Sequence, residues 1–127
     1  MSDSDANAIA VQISDAALTA PVLERIVSAA AVQAALPVDR LVNALAAVDS
    51  IAVAAGRVLD EADPRRFKVL IREGEIKLVI DELADGQADA VLHATRIPAI
   101  GDVLERMATA VATETGEGGS SLVMTFT

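Results

Sequence analysis

The chain has 127 residues, 53% of them hydrophobic and 23% charged, which fits one domain with a real core and excludes disorder or a collagen-like fibre as descriptions of the whole. Ten Lys and Arg stand against 19 Asp and Glu, a net charge of −9. Phosphate backbones and anionic lipid surfaces are therefore repelled, and neither nucleic acid nor a membrane is an expected partner. There is no cysteine, so disulfides, thiolate metal sites and cysteine nucleophiles are excluded.

Residues 1–7 read as a flexible start, and Asp3 and Asp5 stand where a secretory leader would carry positive charge. The rest, 8–127, reads as a single domain with a cytoplasmic location. Ile9, Val11 and Ile13 alternate with Ala8, Ala10 and Gln12, which predicts a short strand from Ala8 to Ile13. Thr19-Ala20-Pro21 supplies a capping candidate and an early proline for a helix from about Pro21 to Ala35. After Pro37 a second helix starts near Asp39, with Leu41, Leu45, Val48, Ala52, Ala55 and Leu59 at spacings of three and four. It is apolar nearly all round between Ala44 and Ala55, as expected of a helix buried against a sheet. Asn43 and Asp49 interrupt its apolar run, which argues against a membrane span.

Asp63-Pro64-Arg65 ends the helix, and Arg65-Arg66 reads as a solvated strand start. Phe67, Val69 and Ile71 then alternate up to Glu73-Gly74, and Ile76, Leu78 and Ile80 alternate after it, predicting a hairpin with Arg72 opposite Glu75. Asp81 to Pro98 loses periodicity and reads as a surface loop with at most one helical turn, His93 being an ordinary loop residue. A third helix is expected from about Ile100 to Val111, and a glycine-rich turn then leads into a last strand through Leu122, Met124 and Phe126. The order implies an α+β two-layer sandwich, a mixed sheet of about four strands with three helices on one face.

Several strings within this order resemble the histidine-kinase-like ATPase (Bergerat) fold, and within it the anti-sigma-factor serine kinases of bacterial partner-switching systems. The resemblance runs from Pro21 to Phe126. Leu36-Pro37-Val38 leads into Ala46-Ala47-Val48-Asp49-Ser50-Ile51-Ala52-Val53-Ala54-Ala55, similar in frame to the family's L-A-V-x-E-A-x-x-N-A helix. The family's catalytic glutamate falls on Ser50 and its magnesium-holding asparagine on Ala54, and a methyl group cannot coordinate a hard cation. Asp81 aligns with the aspartate that reads adenine in the family, with Gly86 one place late for the glycines that follow it. Gly101 remains of the turn that cradles phosphates, and Gly118-Gly119-Ser120 keeps the turn before the last strand.

The resemblance thus implies a remnant nucleotide pocket at Asp81, Gly86, Gly101, Gly118, Gly119 and Ser120, without catalytic or metal-binding residues. Each has a plainer reading, Asp81 as a turn residue bonding its own backbone and Gly118-Gly119-Ser120 as a tight turn. His93 is the only histidine, so no histidine cluster can form, and Asp81, Glu82, Asp85 and Asp89 match no EF-hand spacing. The function implied is a regulatory protein-binding module with no required cofactor, its partner a sigma factor, an anti-anti-sigma domain or a second copy. The alternatives are an active ATP-dependent serine kinase of the same group, or an α+β domain unrelated to nucleotides.

Overall fold

The computed structural model describes residues 7–97 and 100–127. The expected flexible start lies outside the described residues except for Asn7, which already belongs to a strand, and Pro98, the end of the expected loop, lies outside them too. The elements are β1 (Asn7–Ile13), α1 (Thr19–Gln33), α2 (Val38–Val58), β2 (Arg65–Arg72), β3 (Glu75–Leu83), α3 (Gln87–Ala94), β4 (Arg96–Ile97), β5 (Gly101–Asp102), α4 (Val103–Met107), β6 (Ala110–Gly116) and β7 (Gly119–Phe126).

Five strands form one sheet in the order β1-β2-β3-β7-β6, and β4 and β5 form a small separate ladder. The α+β class is as expected, while the mixed sheet of about four strands with three helices is corrected to an antiparallel sheet of five strands with four α-helices among the described residues. Every neighbouring pair in the large sheet is antiparallel. Two tight hairpins account for β2/β3 and β6/β7. For β1 and β2 the cause is that two helices lie between them, returning the chain to the end from which a strand must run back.

The hairpin register is the expected one, with Arg72 opposite Glu75 and Gly74 at a φ of 76° in the turn. Along β2 and β3, Phe67, Val69, Ile71, Ile76, Leu78 and Ile80 point into the helical layer, joined from β7 by Leu122, Met124 and Phe126. The helices meet this face through small side chains, Ala30 and Ala34 from the end of α1 and Ala44, Ala47 and Ala54 from α2, around Leu23, Val27, Val48 and Ile51. Removing one of the larger side chains would leave a cavity in a close-packed layer.

The first helix stops in a Schellman motif. Leu36 donates its N–H to Ala31 O and Ala35 donates to Val32 O, with Ala35 in the left-handed region at a φ of 55°. Pro37 then prevents continuation and serves as the N-terminal flank of α2. By length and composition α2 is apolar enough to cross a membrane; here its inner stripe, Ala44, Ala47, Val48, Ile51, Ala54 and Ala55, is buried in the core.

The loop expected from Asp81 to Pro98 departs most from expectation over its described residues, 81–97. Instead of a loop it holds α3, which buries Ala88 and Val91 one turn apart, and exposed His93 lies in its last turn. The helix expected from Ile100 to Val111 is only the five residues of α4, because Val111, Thr113 and Thr115 alternate as a strand and pair with β7. Thr19 is the first residue of α1, and its buried hydroxyl has no hydrogen-bond partner among the described residues.

Candidate functional site

Asp81 lies near the end of β3, within an irregularity in the β3/β7 register between Ile80 and Leu83. Glu82 adopts a φ of 53° there, and the extra residue lets both Ile80 and Leu83 point into the core. Asp81, next to inward-facing Ile80, faces the opposite side of the sheet, away from α2, by ordinary strand alternation. Its Oδ2 accepts from Lys68 Nζ at 3.0 Å, and its Oδ1 accepts from Ser121 Oγ at 3.0 Å and from the Glu82 N–H at 2.9 Å. Partial burial pushes the carboxyl upward, but the bonds from Lys68, Glu82 and Ser121, with the Lys68 charge, outweigh it and hold the group below its ordinary value.

The glycine-rich turn is used by the backbone. Gly119 has a φ of 115°, and a Cβ placed on it would meet Leu83 O at 2.3 Å, so only glycine allows β7 to pass this close to the end of β3. The next residue, Ser120, is buried and donates its hydroxyl to Ala84 O at 3.0 Å, with Leu83 O at 3.4 Å. That bond pins the segment leading into α3. Gly86 takes a φ of 82° as the N-terminal flank of α3, and Gly101 takes a φ of 93° in the small β4/β5 ladder.

Of the six residues expected in a remnant pocket, Asp81, Gly118 and Gly119 border one cavity of about 310 Å³, on the open side of the sheet. Glu82 and Glu114 share its wall, which makes it a poor seat for phosphates. Gly86, Gly101 and Ser120 do not line it. Ala54 is fully buried in the core, and no group of three or more His, Asp or Glu side chains able to hold a metal occurs among the described residues.

Sequence reading missed Arg65. Far from being solvated, it is 2% exposed, and its Nη1 and Nη2 have no hydrogen-bond partner among the described residues. Its neighbour Arg66 behaves as expected of a surface residue, paired with Glu82 and donating to Gln12 Oε1 at 3.2 Å. The signal that separates the two was available, since Arg65 is in phase with Phe67, Val69 and Ile71, and in a strand that parity places it on the packed face. Arg65 also lines a cavity of about 280 Å³ where Leu59, Pro64, Leu83 and Gln87 converge. No protein-family model matches the chain, and no curated protein matches it.

Proposed function

We propose that the chain is a regulatory protein-binding module resembling bacterial anti-sigma-factor and serine-kinase regulators, and that it works in the cytoplasm without ATPase or kinase activity. The observation that carries this reading is Ala54, fully buried against the sheet. At the position the resemblance aligns with a metal-holding asparagine, the chain offers a methyl group enclosed by core side chains, and phosphoryl transfer relies on a divalent ion to neutralise charge on the phosphate oxygens. Asp81, aligned with the adenine reader, supports the same reading, because its carboxylate is bonded to Lys68 and Ser121 on the face away from α2.

Protein contact in place of nucleotide chemistry is supported by the outer face of α2. Val38, Val42 and Val53 are each more than half exposed, and spacings of four and eleven residues put them on one stripe of the helix. A sigma factor, an anti-anti-sigma domain or a second copy of the chain is the partner proposed. Titrating the protein with ATP in a calorimeter, with and without Mg²⁺, tests the loss of nucleotide chemistry. The expected outcome is no magnesium-dependent heat up to millimolar ATP; micromolar binding that tightens with Mg²⁺ would overturn the proposal.

A further inference from the structure

Strand β6 is an edge of the five-stranded sheet, bonded to β7 on one side only. Its outer side therefore presents N–H and C=O groups at alternate residues, a template for another strand. Folds commonly guard such an edge with a lysine, a proline, a bulge or a very short strand. Ala110–Gly116 has none of these. It runs for 7 residues as Ala-Val-Ala-Thr-Glu-Thr-Gly, in an unbroken register with β7 from Ala110 opposite Thr125 to Gly116 opposite Gly119. Every residue of β6 is exposed except half-buried Val111. Val111 and Thr113 pair with Met124 and Leu122 on the packed side, where Val111, like Met107, rests against the core. Ala110, Ala112 and Glu114 pair with Thr125, Val123 and Ser121 on the open side. Glu114 is the only charge on β6, and Glu117 follows in the turn; both are exposed, and neither is in an ion pair among the described residues.

We propose that β6 accepts an extended basic segment of a partner protein as an added strand, with apolar residues beside Val111 alternating with lysine or arginine beside Glu114. In such pairing the main-chain bonds supply affinity and the alternate side chains supply specificity. An opposite charge directly across from a strand carboxylate is favourable, and a like charge is not. Lys77 borders a shallow cavity with Glu114, but it stands on β3, two strand spacings of about 4.8 Å inward from β6, whereas the added strand lies one spacing outward. A second copy is the poorer occupant, because each copy carries a net charge of −9 and would bring its own Glu114 to the shared edge. The inference rests on the protein-binding reading above and names the chemistry of the partner.

The probe is a fluorescent peptide of about eight residues alternating lysine and valine, long enough to span β6, with an alternating glutamate and valine peptide as its opposite. Anisotropy measures affinity, and amide NMR shifts of the full chain locate the peptide. The lysine peptide is expected to bind saturably, to shift β6 amides most, and to bind about tenfold tighter than the glutamate peptide. Glu114→Lys is expected to reverse that preference, whereas Glu61→Lys, the same change of charge at an exposed position outside the sheet, leaves it in place. A fully N-methylated lysine peptide has no main-chain donor and is expected not to bind. The proposal is overturned by no saturable binding of the lysine peptide, by equal affinity for both peptides, by a preference that Glu61→Lys also reverses, by binding of the N-methylated peptide, or by shifts confined to α2 or β1. It is overturned as well by a peptide-free dimer whose β6 amides are protected from hydrogen exchange, since a second copy then holds the edge. Failure of the peptide with no heat from ATP removes this inference alone, while ATP binding that tightens with Mg²⁺ removes the reading on which it rests.

Discussion

The two faces of the five-stranded sheet are built from the same strands and differ only in which alternate residues they receive. One face takes Phe67, Val69, Leu78, Ile80, Leu122, Met124 and Phe126 and lies under the helices. The other takes Lys68, Lys77, Asp81, Ser121 and Val123, which line a shallow cavity on the uncovered side. On the open face charge is matched by charge, as in Lys68 with Asp81 at 3.0 Å. On the packed face Ser120 is satisfied by backbone carbonyls, whereas the terminal nitrogens of Arg65 have no partner among the described residues. Polar groups of the first kind are satisfied within the fold, whereas Arg65 carries into the packed layer a charge that the described residues leave unmet.

Adjacent residues of β7 test this contrast most severely. Leu122→Ala is expected to lower the unfolding free energy by about 3 kcal/mol, and Val123→Ala, on the open face, by less than about 1 kcal/mol. Urea denaturation measures both, and similar losses would break the distinction between the faces. Gly119→Ala forces a side chain into the left-handed region and against Leu83 O, for an expected loss of about 2 kcal/mol or more. Ser120→Ala removes the bond to Ala84 O, and a loss of about 1 kcal/mol is expected. Ala35→Gly works in the opposite direction, relieving the strained end of α1 and gaining up to about 1 kcal/mol.

The smallest expected effect is on pH dependence. Because the Asp81 carboxyl is held below its ordinary value of 3.8 in the folded chain, the unfolded chain binds its proton first as pH falls. Its contribution to stability is present above that ordinary value and is lost as pH drops through the lower folded value. Asp81→Asn should therefore flatten stability against pH in this acid range and leave its slope near neutrality unchanged, as measured by urea midpoints across the range.

Much of the architecture is legible because long periodic segments announce themselves. The β2/β3 hairpin is as expected down to Arg72 opposite Glu75, and α1 and α2 differ from expectation by one or two residues at their ends. What escapes is short. The buried side of α3 is only Ala88 and Val91, too few positions to show a period, although Gly86 followed by good helix formers is a usable signal. Val111 extends the apparent spacing of Val103, Leu104 and Met107, so a five-residue helix and a strand read as one helix. At the candidate site, Asp81 and Gly119 stand out as special positions in the sequence and strand alternation already gives the face of Asp81, but the extra residue that returns Leu83 to the core depends on long-range pairing with β7.

Calorimetric titration with ATP, in the presence and absence of Mg²⁺, tests the account most directly, because Ala54 is enclosed in the core and the Asp81 carboxylate is already bonded to Lys68 and Ser121. The account predicts no magnesium-dependent heat up to millimolar ATP, and micromolar binding that tightens with Mg²⁺ would contradict it.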